Sequence, residues 1–393
     1  MLFRSIKKKE EEEVASKWLD YAGHGALREY KVPVKRLSVA QQQIVDIAKA
    51  LSYSAKIIIM DEPTDTLTES EMRVLFDIVR KLKQDGITVI YISHRLEEVF
   101  DICDRVTVLR DGCYITDEET ANIDKDWLIG KMIGRKLTDT FPPKTRACAQ
   151  KVALKVENLS GGDFDHASFE LKRGEILGFA GLVGSGRTEL MRAIFGADKS
   201  YGGKIFLEGK QIHYTHPSQA VKEGIGFATE DRKTQGLFLN MDVRENVVVA
   251  ASSRIANKGF INNKKVAEIT KGYVKDLQIA TPSIYQKCKN LSGGNQQKVV
   301  LAKWLATECK ILILDEPTRG IDVGAKYEIY ALMDALAKQG VSIIMISSEM
   351  PEIIGMSDRI IVMHEGKIMG EIGCEEASEE RIMLLASGES QAS

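Results

Sequence analysis

The sequence has no long apolar run and almost no net charge, and each absence excludes a class of protein. Its longest apolar stretches, such as residues 57–60, have the length of a strand, whereas a membrane span needs about 18 or more residues. No apolar segment typical of a secretory signal follows Met1. The formal charge of −2 gives no basic surface for nucleic acid. We therefore expect any role at a membrane to depend on a partner protein.

Cysteine is also scarce, with six in 393 residues, and no two form a C-x-x-C pair. This spacing favours reduced thiols in a cytosolic protein over a disulfide framework or a zinc site. Apolar residues make up 44% and charged residues 28% of the chain, as in soluble globular proteins. The length predicts two domains.

A repeat with an offset of 254 positions relates the two parts of the chain. The sequence LSVAQQQ at 37–43 returns as LSGGNQQ at 291–297, and IMDEPT at 59–64 returns as ILDEPT at 313–318. A register that holds without gaps over about 75 residues indicates duplication. The same offset places the counterpart of the glycine-rich segment 181–188 before Met1. We expect the first copy to be incomplete, either in a truncated gene product or because of an internal start.

Periodicity predicts an α/β chain in which helices alternate with buried parallel strands. No regular pattern is visible from 113 to 150. The predicted domains are 1–135 and 152–385, with a linker at 136–151 and a disordered tail at 386–393. Predicted helices lie at 5–30, 69–84, 188–195 and over most of 246–277, predicted strands lie at 57–60, 88–92, 153–156, 167–171 and 176–180, and a second strand–helix–strand unit lies within 315–363.

The segment from Gly181 to Thr188 matches the phosphate-binding template G-x-x-x-x-G-K-[ST] except that Arg187 replaces lysine. Glycines allow backbone N–H groups to surround phosphates, and the N-terminus of the following helix adds a favourable dipole. Thr188 would offer a hydroxyl to Mg²⁺. Because the planar fork of arginine is not a point charge, we expect nucleotide binding but poorer positioning for hydrolysis. The predicted loop residues are Gly181, Gly184, Ser185, Gly186, Arg187, Thr188 and Glu189.

Two carboxylate pairs, Asp61-Glu62 and Asp315-Glu316, each follow an apolar strand and precede Pro-Thr. In a Walker B arrangement the aspartate helps to hold Mg²⁺. The adjacent glutamate then polarises the attacking water as a general base. We therefore predict metal-binding roles for Asp61, Thr188 and Asp315, and catalytic roles for Glu62 and Glu316.

With these motifs the chain resembles the ABC transporter ATPase family. The segment 291–297 is similar to the family's signature motif, and His94 in YISHR is similar to its switch histidine. The tandem halves, together with GLVGSGRTEL, TEDRKTQGL, LSGGNQQK and DEPTRGIDVG, resemble the monosaccharide importer subfamily of the ribose, galactose, xylose and arabinose type. The resemblance implies two P-loop NTPase-type ABC domains, the first incomplete, each with a doubly wound core sheet and a helical subdomain.

The resemblance also implies two composite ATP sites, each combining the loop and carboxylates of one half with the signature of the other. The first would contain Asp61, Glu62 and His94 but no phosphate-binding loop. The second is expected to hydrolyse weakly, because it departs from the family pattern at Arg187, at Ser348 in place of histidine, at Glu230 in place of glutamine and at Val39-Ala40 in place of paired glycines. The implied ATP contacts beyond the loop are Ser38, Ala40, Gln41, Glu230, Ser292, Gly293, Gly294 and Gln296.

The implied cofactors are ATP and Mg²⁺. The implied partners are membrane permease subunits and, indirectly, a sugar-binding protein, with no nucleic acid. The subunit would then lie at the cytoplasmic face of the cell membrane, attached peripherally. Three alternatives stay open: a nucleoside importer ATPase of the same family, a soluble ABC protein such as a ribosome-associated translation factor, and a fragment that binds nucleotide without catalysis.

Overall fold

The computed structural model describes residues 8–23, 32–53, 55–64, 67, 69–93, 95–110, 112–133, 141–144, 150–257, 260–321 and 323–388. The chain divides into two compact units, Met1–Leu137 and Thr138–Ser393. None of the helices in these described ranges has the length and apolar character of a membrane span.

The first unit contains a parallel strand pair, β1 with β2, and an antiparallel pair, β3 with β4. Helix α3 connects the parallel strands, as parallel pairing requires a crossover. The buried side chains of α2, α3 and the inner face of β1 form its main core. Its elements are α1 (Lys8–Gly23), α2 (Val39–Ser52), β1 (Ile57–Asp61), α3 (Glu69–Gln84), β2 (Thr88–Ile92), α4 (Leu96–Ile102), β3 (Arg105–Arg110), β4 (Cys113–Glu119) and α5 (Lys125–Ile133).

The second unit is built around a six-stranded sheet with strand order β11–β14–β15–β7–β16–β17, in which only β17 is antiparallel to its neighbour. A second, antiparallel sheet has the order β10–β9–β5–β6, with β8 paired to β5. Its elements are β5 (Val152–Gly161), β6 (Ala167–Lys172), β7 (Ile176–Gly181), α6 (Arg187–Ile194), β8 (Ser200–Tyr201), β9 (Lys204–Leu207), β10 (Lys210–Ile212), α7 (Pro217–Glu223), β11 (Ile225–Ala228), α8 (Val243–Val248), α9 (Ser252–Ile255), β12 (Ala256–Asn257), β13 (Phe260–Ile261), α10 (Asn263–Asp276), α11 (Gly293–Leu305), β14 (Ile311–Asp315), α12 (Val323–Lys338), β15 (Ser342–Ile346), α13 (Met350–Met356), β16 (Arg359–His364), β17 (Lys367–Gly373) and α14 (Glu379–Ala386).

The predicted strand–helix–strand units and the helix over most of 246–277 are confirmed, and the prediction of no regular structure from 113 is wrong. The helix expected at 5–30 is observed at Lys8–Gly23, while 24–31 lie outside the described residues. The region from 113 forms β4 and α5. Strand β4 gives no buried-strand pattern in the sequence, because four of its seven side chains are polar and none is fully buried. Helices α8, α9 and α10 cover most of 246–277, and the two-stranded ribbon β12–β13 lies between α9 and α10.

The predicted linker, 136–151, contains described residues that pack on the second unit. The ring of Phe141 lies 5.1 Å from that of Tyr330. The Lys144 ammonium donates hydrogen bonds to the carbonyl oxygens of Ile354 (2.8 Å) and Ser357 (2.7 Å), near the C-terminal end of α13. These contacts explain why the division between the units falls at 137–138. The predicted domain limits stay a prediction.

The structure extends the sequence repeat to whole elements. Helices α3 and α12 begin and end 254 positions apart, as Glu69 and Val323 illustrate, and so do the pairs β2 and β15, α4 and α13, β3 and β16, and β4 and β17. The backbone repeats in detail, because Glu62 and Glu316 have positive φ angles of 45° and 48°. The duplication is therefore visible in the structure as well as in the sequence.

The two copies differ in what covers one face of their strands. Ile59 on β1 is 66% exposed, whereas its counterpart on β14, Ile313, is fully buried. In the second unit this face contacts α6, β7 and the antiparallel sheet. The same contrast holds for Ile57, Ile90 and Ile92 against Ile311, Ile344 and Ile346.

This contrast makes matched substitutions informative. Ile313→Ala should lower the free energy of unfolding by about 2–5 kcal/mol, because it leaves a cavity in a closed core. Ile59→Ala should cost less than about 1 kcal/mol, because little apolar area is lost from a side chain already in water. Urea-dependent hydrogen exchange of the peptides containing each strand measures both effects, and equal losses would contradict the assignment of the faces.

Candidate functional site

The glycine-rich loop lies between β7 and α6 in a conformation that its glycines permit. Gly181, Gly184 and Gly186 have φ angles of 153°, 81° and 89°. A Cβ at Gly181 would lie 2.4 Å from the Met363 carbonyl oxygen, and one at Gly186 would lie 2.5 Å from that of Asp163. Any side chain at these two positions would therefore displace neighbouring backbone.

The interior of the loop fits a phosphate group. Ser185 is buried, and its hydroxyl has no hydrogen-bond partner among the described residues. The first N–H groups of α6 lack partners within the helix by virtue of helix geometry, and the helix dipole favours an anion beside them. A bound phosphate would provide acceptors for these donors. Glu189 lies in the first turn of α6.

Thr188 and Asp315 bring two hard oxygen atoms together at the end of the loop. The Thr188 hydroxyl donates a 2.9 Å hydrogen bond to Oδ2 of Asp315, the last residue of β14. Burial raises the pKa of Asp315 to about 6, opposed by the Thr188 hydrogen bond. Hydroxyl and carboxylate oxygens suit Mg²⁺, which otherwise takes its ligands from phosphates and water. Within the described ranges no group of three or more metal-ligating side chains exists, so a metal here would rely on such ligands.

Arg187 is buried and directed toward the ends of the neighbouring strands. Its Nη1 donates a 3.0 Å hydrogen bond to the carbonyl oxygen of Ser347, which follows β15. Burial lowers the pKa of Arg187, and the nearby carboxylates of Glu316 and Asp315 oppose that shift. The guanidinium therefore ties the loop to the sheet and balances the carboxylates beside it.

Glu316 occupies the position expected for a general base in the second unit. It adopts a positive φ angle of 48°, which is strained for a side chain of this size. Burial raises its pKa, and the hydroxyl of Ser348 lies 3.3 Å from its Oε2. Ser348, which stands where the repeat would place histidine, thus contacts the glutamate.

The second signature segment, 291–297, is packed so closely that the structure requires glycine at two of its positions. Ser292 precedes α11 and accepts a 2.8 Å hydrogen bond from the Asn295 amide. A Cβ at Gly293 would lie 2.8 Å from Nη2 of Arg232, and one at Gly294 would lie 2.8 Å from the Ala325 side chain. Buried Gln296 donates to the Cys288 carbonyl oxygen at 3.1 Å.

The first signature segment begins with a helix cap. Gln41 N donates to the Ser38 hydroxyl at 3.3 Å, and Ser38 N donates to Oε1 of Gln41 at 3.0 Å, which together form a capping box. The side chains of Val39 and Ala40 lie outside the described residues. Of the three residues predicted to contact ATP here, Ser38 and Gln41 are thus engaged with each other at the start of α2, and the prediction for Ala40 falls outside the described side chains.

The comparisons with known proteins agree with these motifs. The family model described as ABC transporter matches residues 2–65 and 164–319. The ribose import ATP-binding protein RbsA of Bacillus subtilis is 51% identical over 352 residues, which cover 89% of this chain and 71% of that protein. The chain belongs to the ABC transporter family. Its place is among the ATP-binding subunits of monosaccharide importers.

Two further relatives support the placement of this ABC subunit. The putative ribose/galactose/methyl galactoside import ATP-binding protein 1 of Agrobacterium fabrum is 50% identical over 357 residues, covering 90% of this chain and 71% of that protein. The structure of cbiO1 from Clostridium perfringens, part of the ABC transporter complex cbiONQ, is 25% identical with a TM-score of 0.51, covering 60% of this chain and 94% of that one. The predicted tandem ABC fold and ATPase class are confirmed.

The structure brings the predicted residues together in groups. In the second unit, Thr188, Asp315, Glu316 and Ser348 meet where β14 and β15 end. In the first unit, Asp61 ends β1 and is exposed, as is Glu62 beside it. His94 lies outside the described residues, so its predicted role stays a prediction. The predicted contacts of all these residues with ATP likewise stay predictions.

The ABC subunit also contains a structural clamp that its sequence did not identify. Arg232 donates from Nη1 to the Arg319 carbonyl oxygen at 2.5 Å and from Nη2 to that of Gly320 at 2.8 Å. The side chain of Arg319 in turn forms an ion pair with Glu230, the residue at the predicted glutamine position. Arg232 thus joins the segment after Glu316 to the signature glycine Gly293. In the sequence, Arg232 is notable only as part of the motif TEDRKTQGL, which gives no indication of this role.

Acidification should weaken Mg²⁺ binding before it unfolds the protein. Asp315 binds metal as the carboxylate, and because its pKa is about 6, a proton competes below that pH. The Mg²⁺-dependent part of nucleotide affinity should therefore fall roughly tenfold per pH unit below about 6. Titration calorimetry with and without EDTA measures this part. Asp315→Asn should abolish it at every pH, and an unchanged Mg²⁺ dependence down to pH 5 would contradict the metal assignment.

The Arg232 clamp requires the arginine fork. Arg232→Lys keeps the charge but cannot reach both carbonyl oxygens with a planar fork, so the free energy of unfolding should fall by about 1–3 kcal/mol. Arg381→Lys is the matched control, since Arg381 forms a surface ion pair with Glu376 and its substitution should cost less than about 1 kcal/mol. Hydrogen exchange at the start of α11 should rise only in the Arg232 variant. Similar losses of stability in the two variants would contradict a stabilising role for the Arg232 clamp.

Proposed function

We propose that this ABC subunit couples the binding and hydrolysis of ATP to the import of a monosaccharide through membrane permease subunits. The observation that carries this proposal is the glycine loop of 181–188, closed by the hydrogen bond from Thr188 to Asp315. The names of the relatives, which specify ribose or galactose import, support the substrate class. A sugar-binding protein would deliver the sugar, and the subunit would lie peripherally at the cytoplasmic face of the membrane.

The proposed chemistry divides among residues of the second unit. The loop backbone and the N-terminus of α6 bind the phosphates, and Thr188 and Asp315 hold Mg²⁺, which when bound neutralises phosphate charge. Glu316 accepts a proton from the attacking water, and its raised pKa makes it a stronger base than an exposed glutamate. Ser348 orients Glu316 but cannot carry a proton as histidine would. This proposed site therefore binds nucleotide well and hydrolyses it slowly.

We propose that the remaining motif residues contact nucleotide in the assembled transporter. Asp61, Glu62 and His94 would serve hydrolysis, and Glu189, Glu230 and the two signature segments would contact the phosphates. The 393 residues contain one segment that matches the glycine-rich template, at 181–188. Hydrolysis that relies on Glu62 needs a second such loop.

A non-catalytic nucleotide-binding role is the second candidate. It is favoured by Arg187, whose guanidinium is hydrogen-bonded to the Ser347 carbonyl oxygen, in the position where a lysine would reach the phosphates. Under this alternative the chain binds ATP but drives no transport. Measured turnover separates the two candidates.

Nucleotide binding should depend on Gly186 and not on glycines elsewhere. Gly186→Val should reduce the affinity for a fluorescent ATP analogue at least about 30-fold, since the side chain would strike the Asp163 carbonyl oxygen and force an unfavourable φ. Gly272→Ala in α10 meets nothing within 4 Å and should leave affinity unchanged. Equal affinity of the Gly186 variant and the wild type would refute the phosphate-binding loop.

Transport is tested by complementation of a strain that lacks the ATP-binding subunit of its ribose importer. Restored growth on ribose, lost again with Gly186→Val, would support the proposed function. Rescue of nucleoside uptake alone would favour the nucleoside alternative. No rescue, together with intact nucleotide binding and no turnover, would leave the non-catalytic role.

A further inference from the structure

A buried glutamate occupies the same position in both units. Glu98 lies in the first turn of α4 and Glu352 in the first turn of α13, 254 positions apart. Their exposed fractions are 3% and 1%. Fully buried glutamates are rare unless they are paired or hydrogen-bonded, and none of the catalytic roles proposed above uses either residue.

Each glutamate accepts hydrogen bonds from two loops. In the first unit Oε1 of Glu98 accepts from the Thr64 hydroxyl at 2.6 Å and Oε2 accepts from Ser93 at 2.8 Å. In the second unit Oε1 of Glu352 accepts from the Thr318 hydroxyl at 2.9 Å, and Oε2 accepts from Ser347. The threonine follows the Walker carboxylates, and the serine follows the next strand of the sheet. Each unit thus contains the same connection between its two corresponding loops.

A tyrosine supports each connection from a different element. Tyr91 on β2 donates to Oε2 of Glu98 at 2.9 Å. In the second unit that position is Met345, and Tyr330 on α12 faces Glu352 and Thr318 instead. The first-unit counterpart of Tyr330 is Phe76. The surrounding side chains therefore differ between the two units, while the hydrogen bonds to the glutamate are kept. This indicates that the fold requires the hydrogen-bonded glutamate itself.

We propose that Glu98 and Glu352 are positioning residues that fix the loop after the Walker carboxylates to the loop at the switch position. Glu352 acts through Thr318 on the turn that contains Glu316. It acts through Ser347, whose carbonyl oxygen accepts from Arg187, on the phosphate-binding loop. Glu98 acts in the same way through Thr64 on Glu62 and through Ser93 on the segment next to His94. This inference rests on the proposed nucleotide binding at 181–188.

The charges around the two glutamates differ. Arg95 lies 3.3 Å from Oε1 of Glu98, whereas its counterpart near Glu352 is another carboxylate, Glu349. The pKa of Glu352 is raised to about 7, chiefly by burial and also by Glu349, against the opposing effects of the hydrogen bonds from Ser347 and Thr318 and of Lys326. Lys326 is itself paired with Glu349 at 2.6 Å, and Tyr330 also faces the carboxyl group.

Protonation of Glu352 would convert one acceptor oxygen into a donor, so that one of the two hydroxyls could no longer donate to it. As pH rises through about 7 the carboxylate forms and can accept from both hydroxyls. The positioning of the phosphate-binding loop should therefore improve over this range. Asp315 affects only the Mg²⁺-dependent part of binding, so measuring nucleotide binding in EDTA removes its contribution. Comparison with Glu352→Gln then identifies the contribution of Glu352.

The test is the affinity of the whole chain for a fluorescent ATP analogue in EDTA, from pH 6 to 8.5. The wild type should gain about two- to fivefold in affinity across pH 7, the order expected for one hydrogen bond. Glu352→Gln should bind about fivefold more weakly at pH 8 and lose this pH step. Ser347→Ala should reproduce the loss of affinity, and combining the two changes should add little, because both break one connection.

Glu175→Gln is the matched control. Glu175 is equally buried in the same sheet but lies just before β7, at the opposite edge, in an ion pair with Arg359. Its substitution should lower the melting temperature without altering affinity or the pH step. If Glu352→Gln behaves like Glu175→Gln, the inference is overturned. If the Glu352 variant does not fold, Ser347→Ala and Thr318→Val decide by the same readout, and absence of binding by the wild type itself would refute the proposed function instead.

The first unit has its own test. Glu98→Gln should increase hydrogen exchange in the peptides containing Thr64 and Ser93 together, because one carboxylate holds both loops. Exchange in β3 and β4 should not change, since they lie outside the connection. Faster exchange in all peptides alike would show only general destabilisation and would contradict a positioning role.

Discussion

The hydrogen bond between Thr188 and Asp315 links the two parts of the second unit on which the proposed chemistry depends. Thr188 belongs to the helix that follows the glycine loop, and Asp315 is the last residue of a strand two places away in the sheet. Parallel strands place their carboxyl ends at one edge, so loop, carboxylates and switch position converge there without a long connection. Burial at this edge raises the pKa values of Asp315 and Glu316, while Arg187 supplies the compensating charge.

The close packing of the loops limits the substitutions that the site can accept. Gly181 and Gly186 lie against backbone carbonyl oxygens, and Gly293 lies between Arg232 and the Gly320 carbonyl oxygen. Glycine at these positions follows from packing before any ligand is considered. The signature glycines therefore cannot be attributed to nucleotide contact alone, and a variant at Gly293 would report on both causes.

Much of the fold could be predicted because its signals are local or repeated. Buried strands such as β7 and β14 are continuous apolar runs, and the constant offset carried each assignment from one half to the other. Strand β4 could not be predicted, because four of its seven side chains are polar and none of them is fully buried. The clamp at Arg232 and the connection at Glu352 depend on contacts between segments 30 to 90 positions apart. No local pattern in a single sequence encodes such contacts, although both glutamates lie within the repeat and could have been compared.

The comparison of the two halves shows how a degenerate site can keep its shape. At the switch position Ser348 contacts Glu316, and near Glu352 a glutamate stands where the first unit has Arg95. Losing a cation beside a buried carboxylate raises its pKa, which is costly unless hydroxyl donors compensate. Thr318 and Ser347 supply that compensation, and the backbone at Glu316 keeps the same positive φ as at Glu62. The second unit has therefore changed the charges around its site while preserving the hydrogen bonds that define its geometry, which is compatible with binding a nucleotide without efficient hydrolysis.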